Sequence, residues 1–201
     1  MKKKRILYMV ALGLFVVFLV FLYAMSKGYT SIIDDFGVRG FVRTESLTGI
    51  MKVITTLGES WFLVLVLILL IIFLRDKKDG VASVVCLGGI AGINNILKNI
   101  VQRARPMFNQ LVEVSGYSFP SGHSASAFGF YGFLIYLIYK RCENKALRNV
   151  SIVLLVALIF GIGVSRVYLG VHYISDVIGG FLLGGAYLSL YVNLSSTLWD
   201  K

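Results

Sequence analysis

Six runs of about twenty apolar residues decide the solvent of this chain before they decide its fold. They lie at about Ile6–Ser26, Leu57–Leu74, Val81–Ile100, Ser121–Tyr139, Leu147–Ser165 and Tyr173–Leu194. A bilayer core of about 30 Å needs roughly 20 apolar helical residues to cross it. Lipid offers no partner for a backbone amide, so each run is expected to be helical. Only 15% of the 201 residues are charged, against about 25% in a soluble domain. The expected fold is all-α: an integral membrane bundle of six transmembrane helices, one domain over residues 1–201 without a linker.

The net charge of +10 raises the question of nucleic acid. The basic residues cluster in short loops between apolar runs, which is the orientation signal of membrane proteins. No nucleic acid partner is expected. With the N-terminus inside, twelve Lys and Arg fall on the cytoplasmic side and eight on the other. Three of the eight, Lys98, Arg105 and Arg166, belong to the motifs below. The expectation is a multi-pass protein with both termini cytoplasmic and its motifs at the outer face. Met1–Arg5 and Ala24-Met25-Ser26 also suit a signal peptide and its cleavage site, but the apolar stretch of about 20 residues exceeds the usual 7–15. Cys86 lies in an apolar run and Cys142 in a basic loop, so no disulfide is expected.

Two further segments read ambiguously. Residues 29–50 mix Ile32, Ile33, Phe36, Phe41 and Val42 with Asp34, Asp35, Arg39 and Arg43; an amphipathic piece on the membrane surface and a solvated loop fit equally. Gly88-x-x-x-Gly92 and Gly180-x-x-x-Gly184 permit close helix contact, expected within the bundle rather than in a dimer.

Three stretches carry the chemistry. In Lys98–Pro106, Lys98 and Arg105 are seven residues apart, within about 20° of one helix face. Arg105 precedes Pro106, which disfavours helix there, so the third span should release Arg105 into a loop. Arg103 reads as a cation facing lipid headgroups. In Phe119–His123, Pro120 and Ser121 suit a helix start. The first amides of a helix lack internal partners and bind anions well, so Ser121, Gly122 and His123 are candidates to hold phosphate oxygens. In Ser165–Asp176, His172 and Asp176 stand at i and i+4, neighbours on a helix face. A carboxylate there would keep one imidazole nitrogen protonated and free the other to attack. His123 and His172 are the only histidines.

Lys98-x6-Arg105-Pro106, Pro120-Ser121-Gly122-His123 and Ser165-Arg166-x5-His172-x3-Asp176 together resemble the three signatures of the type 2 phosphatidic acid phosphatase superfamily. All key positions match, in order. The resemblance implies a membrane lipid phosphate phosphatase of the bacterial plasma membrane. It implies a phosphohistidine mechanism without metal or other cofactor. By the same resemblance His172 is the nucleophile, Asp176 its orienting partner and His123 the general acid and then base. Lys98, Arg105 and Arg166 form the phosphate clamp, with Ser121 and the Gly122 amide.

Bacterial members of this size act on phosphatidylglycerol phosphate or on undecaprenyl diphosphate, and the short loops favour the first. The expected partners are a lipid phosphate substrate and the bilayer, with no obligate protein partner. A phosphotransferase of the same fold would use the same residues. A transporter would need inverted repeats or broken helices near the midplane, and the sequence shows neither.

Overall fold

All regular structure among the described residues is helical. The computed structural model describes residues 2–74, 76–107 and 110–198. Helix α1 (Lys2–Ser26) is the first apolar run. Next come α2 (Ser31–Arg39), α3 (Glu45–Thr56), α4 (Ser60–Phe73) and α5 (Lys77–Val101). A short α6 (Gly122–Ser126) passes through a π-helical turn (Ala127–Tyr131) into α7 (Gly132–Arg141). Helices α8 (Lys145–Tyr168) and α9 (Ile174–Leu198) complete the bundle.

Among the described residues, four helices are long and apolar enough to cross a bilayer: Lys4–Ser26, Lys77–Val101, Lys145–Tyr168 and Ile174–Ser195. The second expected span is divided. Its helix α4 has 14 residues and meets α3 across a 50° bend, so the two together make a fifth candidate. The fourth expected span is shared among α6, the π turn and α7, none of which is long enough alone, although the backbone stays right-handed helical through both junctions. Residues 29–50 hold α2 and the first half of α3, joined by a short connection at 40–44. Helix α2 turns Asp34 and Gly37 inward and leaves Ile32 and Phe36 exposed.

Helices α1 and α9 run antiparallel. Asn193 Nδ2 donates to the Lys4 carbonyl at one end (2.9 Å), while Phe18 packs near Leu183 towards the other. At the Lys4 end, Arg141 clips α7 to the start of α5 through Asp79 and Asp76, both at 2.8 Å. The three motifs gather at the opposite end. Basic clusters at the N-terminus and at Lys140–Arg148 are thus separated from the motifs by the length of the bundle. Of the cations in the orientation count, Arg75 and Lys201 lie outside the described residues.

The motif end is drawn together by small residues on α9. A Cβ on Gly180 would stand 2.7 Å from the Ser121 carbonyl oxygen, and one on Gly184 2.8 Å from that of Ala125. Hydrogen there lets α9 lie against the backbone of α6. The other expected pair does no such work: nothing lies within 4 Å of a Cβ at Gly88 or Gly92. The close contact on α5 is at Gly89, under the Tyr187 hydroxyl.

Gly184→Ala is expected to lower the midpoint of thermal unfolding in detergent micelles, through overpacking of about 1–3 kcal/mol. Gly88→Ala, facing open space, should leave it unchanged or raise it, as a helical Gly-to-Ala exchange gains up to about 1 kcal/mol.

Candidate active site

Helix α5 ends within a residue of the expected end of the third span and releases Arg105 into a loop. Gln102 adopts a left-handed conformation (φ 51°, ψ 34°) and closes the helix after Val101. Lys98 therefore stays in the last turn while Arg105 lies in the loop. They meet because the chain turns back, not because they share a helix face. Lys98 Nζ donates to the carbonyls of Tyr117 (2.5 Å) and Ser118 (3.3 Å). Arg105 donates to the carbonyls of Gly116, Ser115 and Val171 at 2.9–3.0 Å, and its Nη1 lies 3.2 Å from His172 Nε2.

The turn before α6 is pinned by Phe119. Its ring is fully buried, stacks on Phe18 of α1 and lies over Gly179 of α9. Ser121 then caps α6, accepting from the amide and hydroxyl of Ser124 at 3.4 and 3.0 Å. Its own amide donates to the Asp176 carbonyl (3.0 Å). The buried Ser121 side chain thus caps the helix and, unlike its two successors, is not among the residues lining the cavity. Gly122 and His123 are the first residues of the helix and do face the cavity. His123 Nε2 lies 3.3 Å from Glu59 Oε1. The bend between α3 and α4 supplies Glu59 and brings Gly58 against the His123 ring, where a Cβ would approach to 3.0 Å.

Arg166 closes the site from the last turn of α8. It is 2% exposed, donates from Nη1 to Thr55 Oγ1 (2.7 Å) and leaves Nε without a partner. His172 lies between α8 and α9, two residues before α9 starts, so its i,i+4 contact is not made inside a helix. Asp176 is the third residue of α9 and reaches back to the Tyr173 amide (2.9 Å), as the acid of a capping box does. The same Oδ2 accepts from the Ser118 hydroxyl (2.5 Å) and lies 3.3 Å from His172 Nδ1. Oδ1 is gripped by Arg103 Nη1 at 2.6 Å.

Lys98, Arg105, Gly122, His123, Arg166 and His172 line one cavity of about 250 Å³, with Glu59 and residues 113–115. Six of the eight expected residues therefore share a single hollow. Asp176 stands behind His172, and Ser121 behind Gly122. Burial pushes the His172 imidazole down to about 3, against the upward pull of Asp176, so it is neutral at ordinary pH. With Asp176 beside Nδ1, Nε2 holds the lone pair towards the cavity. Burial also lowers the Arg105 guanidinium from its ordinary value, opposed by Asp176.

Sequence reasoning placed Arg103 at the lipid headgroups. Instead its side chain points inward, 20% exposed, bonding Asp176 and also Asp34 (2.8 Å) and Ser175 Oγ (2.6 Å). The left-handed Gln102 is what redirects it. Asp34, Ser118, Thr55 and Glu59 were missed as well. For Asp34 a signal existed, since an acid among Ile32, Ile33 and Phe36 is costly unless it has a partner.

The family model of the PAP2 superfamily matches residues 79–200. Phosphatidylglycerophosphatase B of Bacillus subtilis (strain 168) is 38% identical over 148 residues, 71% of this chain and 72% of the relative. The undecaprenyl-diphosphatase of Sulfolobus acidocaldarius is 29% identical over 172 residues, 82% of this chain and 79% of the relative. The crystal structure of a transmembrane PAP2-type phosphatidylglycerolphosphate phosphatase from Bacillus subtilis superposes with a TM-score of 0.84 at 29% identity, covering 94% of this chain and 97% of that one.

The burial of His172 makes a spectroscopic prediction. With [15N]histidine labelling, the two imidazoles are resolved and assigned with His123→Ala. His172 should remain neutral from pH 8 down to pH 5, because its pKa of about 3 lies below that window. A His172 resonance titrating near 6.5, the value of a solvated imidazole, would contradict this environment.

Proposed function

This chain belongs to the PAP2 superfamily and is a membrane lipid phosphatase; from that premise we propose that it removes the terminal phosphate of phosphatidylglycerol phosphate through a phosphohistidine. The observation that carries the reading is convergence: both histidines and three cations, from four separate segments, line one cavity. The preference for this lipid is supported by the Bacillus subtilis relative and by the protein of the matching crystal structure, both phosphatidylglycerol phosphate phosphatases by name. A second reading, hydrolysis of undecaprenyl diphosphate, is favoured by the archaeal relative of that name.

In the proposed reaction Lys98, Arg105 and Arg166 hold the phosphate oxygens, assisted by the Gly122 amide. Phosphoryl transfer is chiefly positioning and charge stabilisation, and three fixed cations supply both without routing the step through a metal. Arg166 brings an unpartnered Nε, a donor with no acceptor until a phosphate oxygen arrives. Arg105 must yield His172 Nε2 and turn to the phosphate. The Nε2 lone pair then forms the N–P bond, and the P–O bond to the lipid alkoxide breaks. His123 gives the alkoxide a proton. It next takes a proton from water, whose oxygen attacks phosphorus; the N–P bond breaks and inorganic phosphate leaves. Asp176 stabilises the positive charge on the phosphorylated imidazole. Ser121 serves by capping the helix that carries Gly122 and His123.

The proposed topology has six spans, with α6 through α7 as one and α3–α4 as another. By the basic-cluster asymmetry both termini lie in the cytoplasm and the cavity faces outward. One domain fills residues 1–201.

The test is phosphate release by purified protein from phosphatidylglycerol phosphate, phosphatidic acid, undecaprenyl diphosphate and a soluble phosphate ester. Highest kcat/KM on the first supports the reading, and highest kcat/KM on undecaprenyl diphosphate replaces it with the second. His172→Ala and His123→Ala should abolish turnover, and EDTA should leave it intact. Arg105→Ala is expected to cost about 2–4 kcal/mol of transition-state stabilisation, as for other charge-stabilising donors. Asp176→Asn should lower kcat more than it changes KM.

A further inference from the structure

An acid that must stabilise a positively charged imidazole is poorly served by an arginine clamped to it. Arg103 Nη1 lies 2.6 Å from Asp176 Oδ1, and both side chains are largely removed from water. Between these two groups the net charge is zero. Left so, the pair would present His172 with a well-oriented but electrostatically spent carboxylate, at a depth where charges are weakly screened.

A second acid alters the sum. Asp34 of α2 accepts from Arg103 Nη2 at 2.8 Å. It is 4% exposed and held by four further contacts: the Ser175 amide (2.9 Å) and hydroxyl (2.8 Å), the Thr30 hydroxyl (3.0 Å) and the Thr30 carbonyl to its own amide (3.0 Å). The ring of Tyr173 covers the guanidinium at 4.3 Å. Burial works against the Arg103 charge, but Asp176 and Asp34 outweigh it and push its pKa up. The chain acid–arginine–acid–imidazole is continuous, and the first three members together carry one net negative charge.

We infer that Arg103 and Asp34 are a positioning pair for the phosphohistidine step: Arg103 fixes Asp176 through Oδ1 so that Oδ2 faces His172, and Asp34 restores the negative charge that Arg103 cancels. Neither residue lines the cavity, so neither touches substrate; both act through Asp176. The inference rests on the assignment of His172 as nucleophile. It adds two residues, Arg103 and Asp34, the latter on a helix that carries none of the three motifs.

The test compares Asp34→Asn, Arg103→Gln and the double variant with wild type, by phosphate release from phosphatidylglycerol phosphate in micelles. In Asp34→Asn no second acid compensates the arginine charge, which then cancels that of Asp176. kcat should fall about 10–100-fold, as when outer partners of working histidines are removed, with KM within about threefold because substrate contacts are untouched. The double variant removes the uncompensated charge too, so its kcat should exceed that of Asp34→Asn. A merely structural pair predicts the reverse order, and a double variant at or below Asp34→Asn overturns the inference, as does wild-type kcat in Asp34→Asn. If Asp34→Asn does not elute as a single folded species, Arg103→Lys is the substitute: it keeps the charge but cannot span both acids. It should lose kcat at unchanged KM, and wild-type kcat there overturns the inference. Wild-type protein that releases no phosphate from any lipid would instead defeat the proposed function.

Discussion

A carboxylate with no water contact sits at the end of an apolar bundle, and the motif end is arranged around its needs. Asp176 is 0% exposed. An isolated buried carboxylate costs many kcal/mol, and the cost is offset only by complete hydrogen bonding and an opposite charge. Asp176 finds these in the Ser118 hydroxyl, the Tyr173 amide, Arg103 and His172. The partners come from the loop after α5, the turn before α6 and the segment between α8 and α9. Satisfying one charge therefore ties these stretches together at the edge of the cavity, where the same stretches place Arg105 and His172.

Packing supplies the rest of the precision. Helix α9 carries Asp176 and also the glycines that let it lie against α6, so the two histidines are set relative to one another by backbone contact rather than by long side chains. Phe119, wedged between α1 and α9, fixes the turn that starts α6. The π turn that follows sends the Tyr131 hydroxyl to the Leu57 carbonyl (2.5 Å). That bond holds the bend from which Glu59 approaches His123.

Most of the site was legible because its residues are ionisable groups in an apolar chain, where each demands a reason. Both histidines and the three clamp cations stood out for that cause, and hydropathy located all the long helices. What stayed hidden depends on single backbone choices and distant pairings. Nothing in the run Lys98–Pro106 announces that Gln102 turns left-handed, yet that turn aims Arg103 inward rather than at lipid. Asp34 looked like part of a surface segment because its partners, Arg103 and Ser175, are far along the chain. Ser121, expected both to start a helix and to hold phosphate, is seen capping the helix that carries Gly122 and His123. The irregular alternation in residues 29–50 masked α2, whose buried residues are Asp34 and Gly37, and the start of α3.

The cavity's modest size has a bearing on selectivity. Sites that enclose a whole drug-sized molecule measure about 300–1,000 Å³, and this one measures about 250 Å³. On the proposed assignment, every residue that grips or attacks recognises what all phosphorylated lipids share. Discrimination between one amphiphile and another is therefore delegated to the entrance and the lipid-facing flanks, surfaces that can diverge while the catalytic interior stays constant. A single chemical engine can in this way be refitted to new clients by changes that never reach its histidines.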